Sequence, residues 1–138
     1  MRAPVREIGF TPIRPTVAGT SDPLISCFPD GDLVFHWHED TFELPRGSEL
    51  LATGDHVPMQ AFRVGERAWG LQFHLEIDRP EIELWIEDSG EALEATWGRS
   101  AESILAEADL HLAQQAERAR DAFGRFAGVV RARETADA

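Results

Sequence analysis

Cysteine is almost absent from these 138 residues: Cys27 stands alone, so no internal disulfide can form. Basic residues are scarce as well. Thirteen Lys and Arg face 25 Asp and Glu, for a formal net charge of −12. A chain so acidic repels a phosphate backbone, so no nucleic-acid partner is expected. No apolar run approaches the roughly 20 residues of a membrane span. The opening Met-Arg-Ala-Pro-Val-Arg-Glu-Ile also lacks the apolar middle of a signal peptide. These absences predict a cytoplasmic location and no membrane partner. The remainder is ordinary for a globular protein, with 43% hydrophobic and 28% charged residues. The length suits a single domain over residues 1–138.

Strands come first. Pro4, Pro12, Pro15, Pro23 and Pro29 break the opening third, leaving an extended piece over about Val5–Ile13. Residues Ser21–Asp30 read as a turn-rich link with one helical turn at Leu24–Cys27. Leu33–Trp37 is a short strand, His38–Pro45 a polar loop and Ser48–Thr53 a second strand ended by Gly54. Met59–Val64 and Arg67–Phe73 predict a hairpin, with Gly65-Glu66 as a two-residue type II′ loop.

Helices follow. Asp78, Pro80 and Glu81 form a helix start. A short helical piece is expected near Glu91–Trp97, and Ser100 caps a long helix running to about Arg131. Leu105, Ala108, Leu112, Ala116, Ala119, Phe123, Phe126 and Val130 recur there at steps of three and four, predicting one apolar stripe. Strands followed by helices, without regular alternation, read as part of an α/β domain and not the whole of one.

The stretch Gly70-Leu71-Gln72-Phe73-His74-Leu75-Glu76 ends that strand region. Side chains two apart on a strand share a face, with Cα atoms roughly 6–7 Å apart. A carboxylate at position 76 can therefore hold one nitrogen of His74 and raise the basicity of the other. That is two-thirds of a nucleophile–His–acid triad. By themselves the two residues read first as a polar pair at a strand end, satisfied by neighbours.

Three segments together carry a resemblance: Phe35-His36-Trp37-His38-Glu39-Asp40-Thr41-Phe42-Glu43-Leu44-Pro45, Gln60-Ala61-Phe62-Arg63-Val64-Gly65, and Ala68-Trp69-Gly70-Leu71-Gln72-Phe73-His74-Leu75-Glu76. In this combination the chain resembles the C-terminal half of class I glutamine amidotransferases, especially small GMP-synthase-like members. The resemblance spans about residues 7–130. It implies a partial flavodoxin-like α/β fold: mixed strands and a β-hairpin, then C-terminal helices. It implies glutamine hydrolysis by a Cys–His–Glu triad, with His74 shuttling the proton and Glu76 orienting it. It also implies that His38 and Asp40 help shape the glutamine site. Leu75 stands where the family often has Pro.

The family's nucleophile lies on a Gly-x-Cys-x-Gly elbow, and no such motif occurs here. Cys27, in Ile25-Ser26-Cys27-Phe28-Pro29, has no flanking glycines and reads as a half-buried filler. The resemblance thus implies a truncated amidotransferase, inactive alone and needing a partner chain that carries the Cys, or a homo-oligomer. No cofactor and no metal are expected. Two alternatives remain. One is a non-catalytic binding or assembly module on the same scaffold. The other is a cupin-like metal protein, in which Gly31, His36, His38, Glu43 and Gly47 approximate a His-x-His…Glu signature.

Overall fold

The computed structural model describes residues 1–137. Five strands form one antiparallel sheet: β1 (Arg2–Pro15), β2 (Asp32–Asp40), β3 (Ser48–Gly54), β4 (Ala61–Val64) and β5 (Ala68–Leu71). Their spatial order is β2-β1-β3-β4-β5. The helices are α1 (Val17–Ser21), α2 (Arg79–Ser89), α3 (Ala92–Trp97) and α4 (Ala101–Asp137), with a 3-10 turn at Ile25–Cys27. This is the mixed strand-then-helix architecture expected from the sequence. Among the described residues, no helix is long and apolar enough to cross a membrane.

β1 is longer than predicted because it pairs on both sides in turn. Glu7–Ile13 lie against His38–Asp32 of β2, and Ile13–Pro15 against Gly54–Ala52 of β3. Over residues 7–12 strand pairing is one-sided, which leaves room for Pro12. Side chains close the other side. Glu107 on α4 accepts the Phe10 N–H at 2.9 Å, and Arg99 donates to the Ile8 carbonyl at 3.0 Å. Gly9 sits between them with φ +93°, and a Cβ there would strike both Glu107 and Arg99. Only glycine allows that backbone shape and that approach together.

Several expectations shift. β2 continues through His38, Glu39 and Asp40, residues whose polarity suggested a loop. Glu7↔His38 and Arg2↔Asp40 pairing holds them in the sheet. The β4–β5 turn holds three residues, Gly65-Glu66-Arg67, because Val64 pairs with Ala68. α1 is an added helix, capped by Thr16, whose Oγ1 accepts the Gly19 N–H at 3.0 Å.

α4 packs against β1 and β2, and its buried stripe is Ile104, Ala108, Gln115, Ala119 and Ala122. The predicted stripe shares Ala108 and Ala119 with it. Phe123, Phe126 and Val130 are exposed instead. The helix turns them off the sheet, although the Phe126 ring still meets Trp69 edge-on at 5.9 Å. Two apolar clusters result. Ile13, Phe28, Val34, Leu51 and Phe73 anchor one, and Ile8, Phe10, Phe35, Ile82 and Ile104 the other.

Candidate active site

β5 ends at Leu71, and the chain then runs beside β2. The His74 N–H donates to the Phe35 carbonyl at 2.9 Å, forming an isolated antiparallel bridge. Alternation does the rest. Phe73, Leu75 and Ile77 are buried, while His74 and Glu76 turn outward with side chains 27% and 58% exposed. The His74 Nδ1 lies 2.7 Å from Glu76 Oε1. Facing an acceptor, Nδ1 carries the proton and Nε2 presents a lone pair. No hydrogen bond engages Nε2 among the described residues.

Trp85 fixes the ring from the side, edge-on at 5.1 Å. Its placement follows from the start of α2. Asp78 Oδ1 accepts the Glu81 N–H at 3.0 Å, and Pro80 lies in the first turn. Trp37 then stacks edge-on with both Trp85 and Trp97, at 5.7 and 5.9 Å. Three indoles thus tie β2, α2 and α3 together beside the pair.

His38 and Asp40 are engaged by other partners. The His38 ring is buried, with Nε2 2.9 Å from Glu7 Oε2 and Nδ1 2.9 Å from the Asp40 carbonyl. Asp40 contributes that carbonyl, and the residue itself is exposed. Neither residue hydrogen-bonds to His74 or Glu76 among the described residues.

Glu7, His36, His38 and Gln60 form a buried polar cluster that the sequence did not single out as a unit. Gln60 Nε2 donates to Glu7 Oε2 at 3.0 Å, and His36 Nδ1 lies 3.4 Å from the same oxygen. Burial pushes the Glu7 carboxyl up. The His38 hydrogen bond, the His36 field and the Gln60 amide outweigh it, so the net shift is downward. Burial pulls His36 down to about 4 against the opposing pull of Glu7, which leaves the ring neutral at neutral pH.

Glu7, His36 and His38 also bring three donor atoms within 4.8 Å of one another, a carboxylate and two imidazoles suited to a zinc-like ion. The same atoms meet one another in hydrogen bonds without one. The carboxylate in this group is Glu7, not Glu43. Among the described residues there is one five-stranded sheet and not two facing ones, so the cupin-like reading falls.

Cys27 packs, half-buried, against the cluster that holds Phe73 and Leu75. Its Sγ donates to the Leu24 carbonyl at 2.9 Å, and burial raises its thiol above the ordinary value. Both features oppose a thiolate there.

No family model matches the chain. It is 34% identical over 98 residues to the glutamine amidotransferase-like protein YfeJ of Salmonella typhimurium, covering 71% of this chain and 41% of that protein. It is 41% identical over 78 residues to the glutamine-hydrolyzing GMP synthase of Porphyromonas gingivalis, covering 55% of this chain and 15% of the synthase. Two crystal structures of glutamine amidotransferases resemble the fold. The Thermotoga maritima protein matches with TM-score 0.79 and 29% identity, covering 91% of this chain and 53% of its own. The Methylobacillus flagellatus protein matches with TM-score 0.82 and 25% identity, covering 93% and 54%. The chain therefore spans about half the length of these structural relatives and less of the two sequence relatives.

Proposed function

We propose that this chain, which resembles GMP-synthase-like class I glutamine amidotransferases in sequence and fold, carries the proton-relay half of a glutamine-hydrolysing site. His74 is the relay and Glu76 its orienting acid. The observation that carries this reading is the 2.7 Å contact of His74 Nδ1 with Glu76 Oε1, on a side chain that is 27% exposed. The nucleophile is a cysteine on another segment, because Cys27 is half-buried against the apolar cluster and burial raises its thiol above the ordinary value.

In this reading the thiol attacks the side-chain amide carbon of glutamine, and His74 Nε2 accepts its proton. The same proton passes to the departing nitrogen. The C–N bond breaks, ammonia leaves and a thioester remains. Water then gives a proton to Nε2 and cleaves the thioester to glutamate, and the sulfur regains its proton from the imidazolium. The partners implied are glutamine and a polypeptide bearing the Cys elbow. We take the 138 residues as one portion of such a domain.

The test is glutamate formation from glutamine, with the chain alone and with a polypeptide supplying a Gly-x-Cys-x-Gly elbow. The chain alone is expected to release none above background. The complemented protein should be active, and His74→Ala should cost about 10⁶-fold in kcat, as loss of a triad base does. Turnover by the chain alone would overturn the assignment of the nucleophile to another segment. A complemented protein indifferent to His74→Ala would overturn the relay and favour a non-catalytic assembly module.

A further inference from the structure

In an antiparallel pair, two facing residues at a hydrogen-bonded position exchange both N–H···O bonds. Phe35 and His74 make only one of these directly, from the His74 N–H to the Phe35 carbonyl. The place of the second is taken by a side chain from α4. Gln115 Oε1 accepts the Phe35 N–H at 2.6 Å, and Gln115 Nε2 donates to the His74 carbonyl at 3.0 Å. One primary amide is thus spliced into the missing rung.

Its orientation is forced. Turned over, the amide would set NH₂ against an N–H and oxygen against a carbonyl. Gln115 and Phe35 are both fully buried, so water does not replace the amide. Asparagine is one methylene too short to span the gap, and a carboxylate lacks the donor for His74.

We propose that Gln115 is a positioning residue for His74: its amide sets the separation and pitch of the His74 backbone from β2, and so the angle at which the ring meets Glu76. This deepens the reading of His74 as the proton relay and rests on it. The backbone of His74 is held through Phe35 and Gln115, and its ring by Trp85 and Glu76. Loss of the amide frees one side of the backbone and leaves two buried polar groups unpaired.

The test uses the full chain and two spectroscopic readouts, backbone amide exchange and the ring nitrogen shifts that report the imidazole tautomer. In Gln115→Met, the Phe35 amide should exchange at least about tenfold faster, since its bond is gone. The His74 ring should lose its preference for the Nδ1–H tautomer. Gln115→Glu keeps an acceptor, so the Phe35 amide should stay protected while the tautomer preference weakens. Ile104→Ala, on the same helix in the core, should lower stability without moving the tautomer.

A Gln115→Met protein with parental tautomer and parental Phe35 protection would overturn the proposal. So would an Ile104→Ala protein that shifts the tautomer equally. Should neither Gln115 variant fold, the parent still decides: its Gln115 side-chain amide protons must exchange far more slowly than those of exposed glutamines, and free exchange overturns the clamp. In the complemented enzyme, Gln115→Met should lower kcat about 10- to 100-fold with KM little changed, as a misplaced catalytic group does. If the complemented parent forms no glutamate, the functional reading fails, whereas the exchange and tautomer results still judge the clamp.

Discussion

Residues 7 and 36 make the chain acid-sensitive. The folded state holds His36 neutral down to about pH 4, whereas the unfolded chain takes up that proton near 6.5. Between those values the unfolded state binds more protons, so stability falls as pH drops through the window. At roughly 1.4 kcal/mol per pH unit, the effect reaches about 3 kcal/mol. Glu7, lowered in the fold, adds a contribution present above its unfolded value and lost as pH falls through the folded one. Both act in the same direction. The urea midpoint is expected to drop between pH 7 and pH 4.5, and His36→Asn should flatten that slope. Groups facing His36 are Glu7, His38 and His74, so Glu7→Gln should change the profile as well. The sequence put His36 on a strand and His38 in the loop after it, whereas both lie on β2. It offered no sign that Glu7, 31 residues before His38, completes their environment, because that pairing is long-range.

Among the elements, α2 bears directly on the site because it carries Trp85 to the His74 ring. Asp78→Ala should cost about 1 kcal/mol through loss of the cap on the Glu81 N–H. Chemical denaturation would measure that cost, and a change of near-ultraviolet signal would report loosening of the Trp37–Trp85–Trp97 group. The cap was legible in sequence because it is a local pattern: an acceptor, a proline in the first turn and an acid three residues on. The phase of α4 was less so. A count of apolar residues favoured Phe123 and Val130, yet the sheet buries Gln115 and Ala122. Polarity hid Gln115, although it lies seven residues after Ala108 and four before Ala119, on the buried face. A lone amide recurring in phase with a buried stripe is the signal that would have found it.

At the scale of the whole molecule, Asp22 joins the N-terminal turn to the β4–β5 hairpin. Its buried carboxylate accepts the N–H groups of Leu24 and Ile25, both at 2.9 Å, and Arg63 at 2.7 Å. Trp69 Nε1 reaches the same group at 3.2 and 3.1 Å. Asp22→Ala should cost about 3 kcal/mol, because a cation and three N–H donors lose one shared acceptor. A thermal or urea unfolding curve measures this, and Asp22→Asn should recover part of the loss. No local pattern announces such a hub. Its partners lie 41 and 47 residues away and converge only when the hairpin folds back.

Spacing along the chain and residue type were enough to determine the run of strands followed by helices, the shared face of His74 and Glu76, and the half-buried filler role of Cys27, although the strand expected to reach Phe73 ends at Leu71. These depend on backbone periodicity and on residue type, both of which are local. Tertiary structure alone decided that His38 turns inward to Glu7, that Gln60 joins them, and that an amide from a distant helix completes the bridge beneath His74. Buried polar groups must find partners wherever the packed chain brings them, so those partners are set by packing across the fold and not by distance along the sequence.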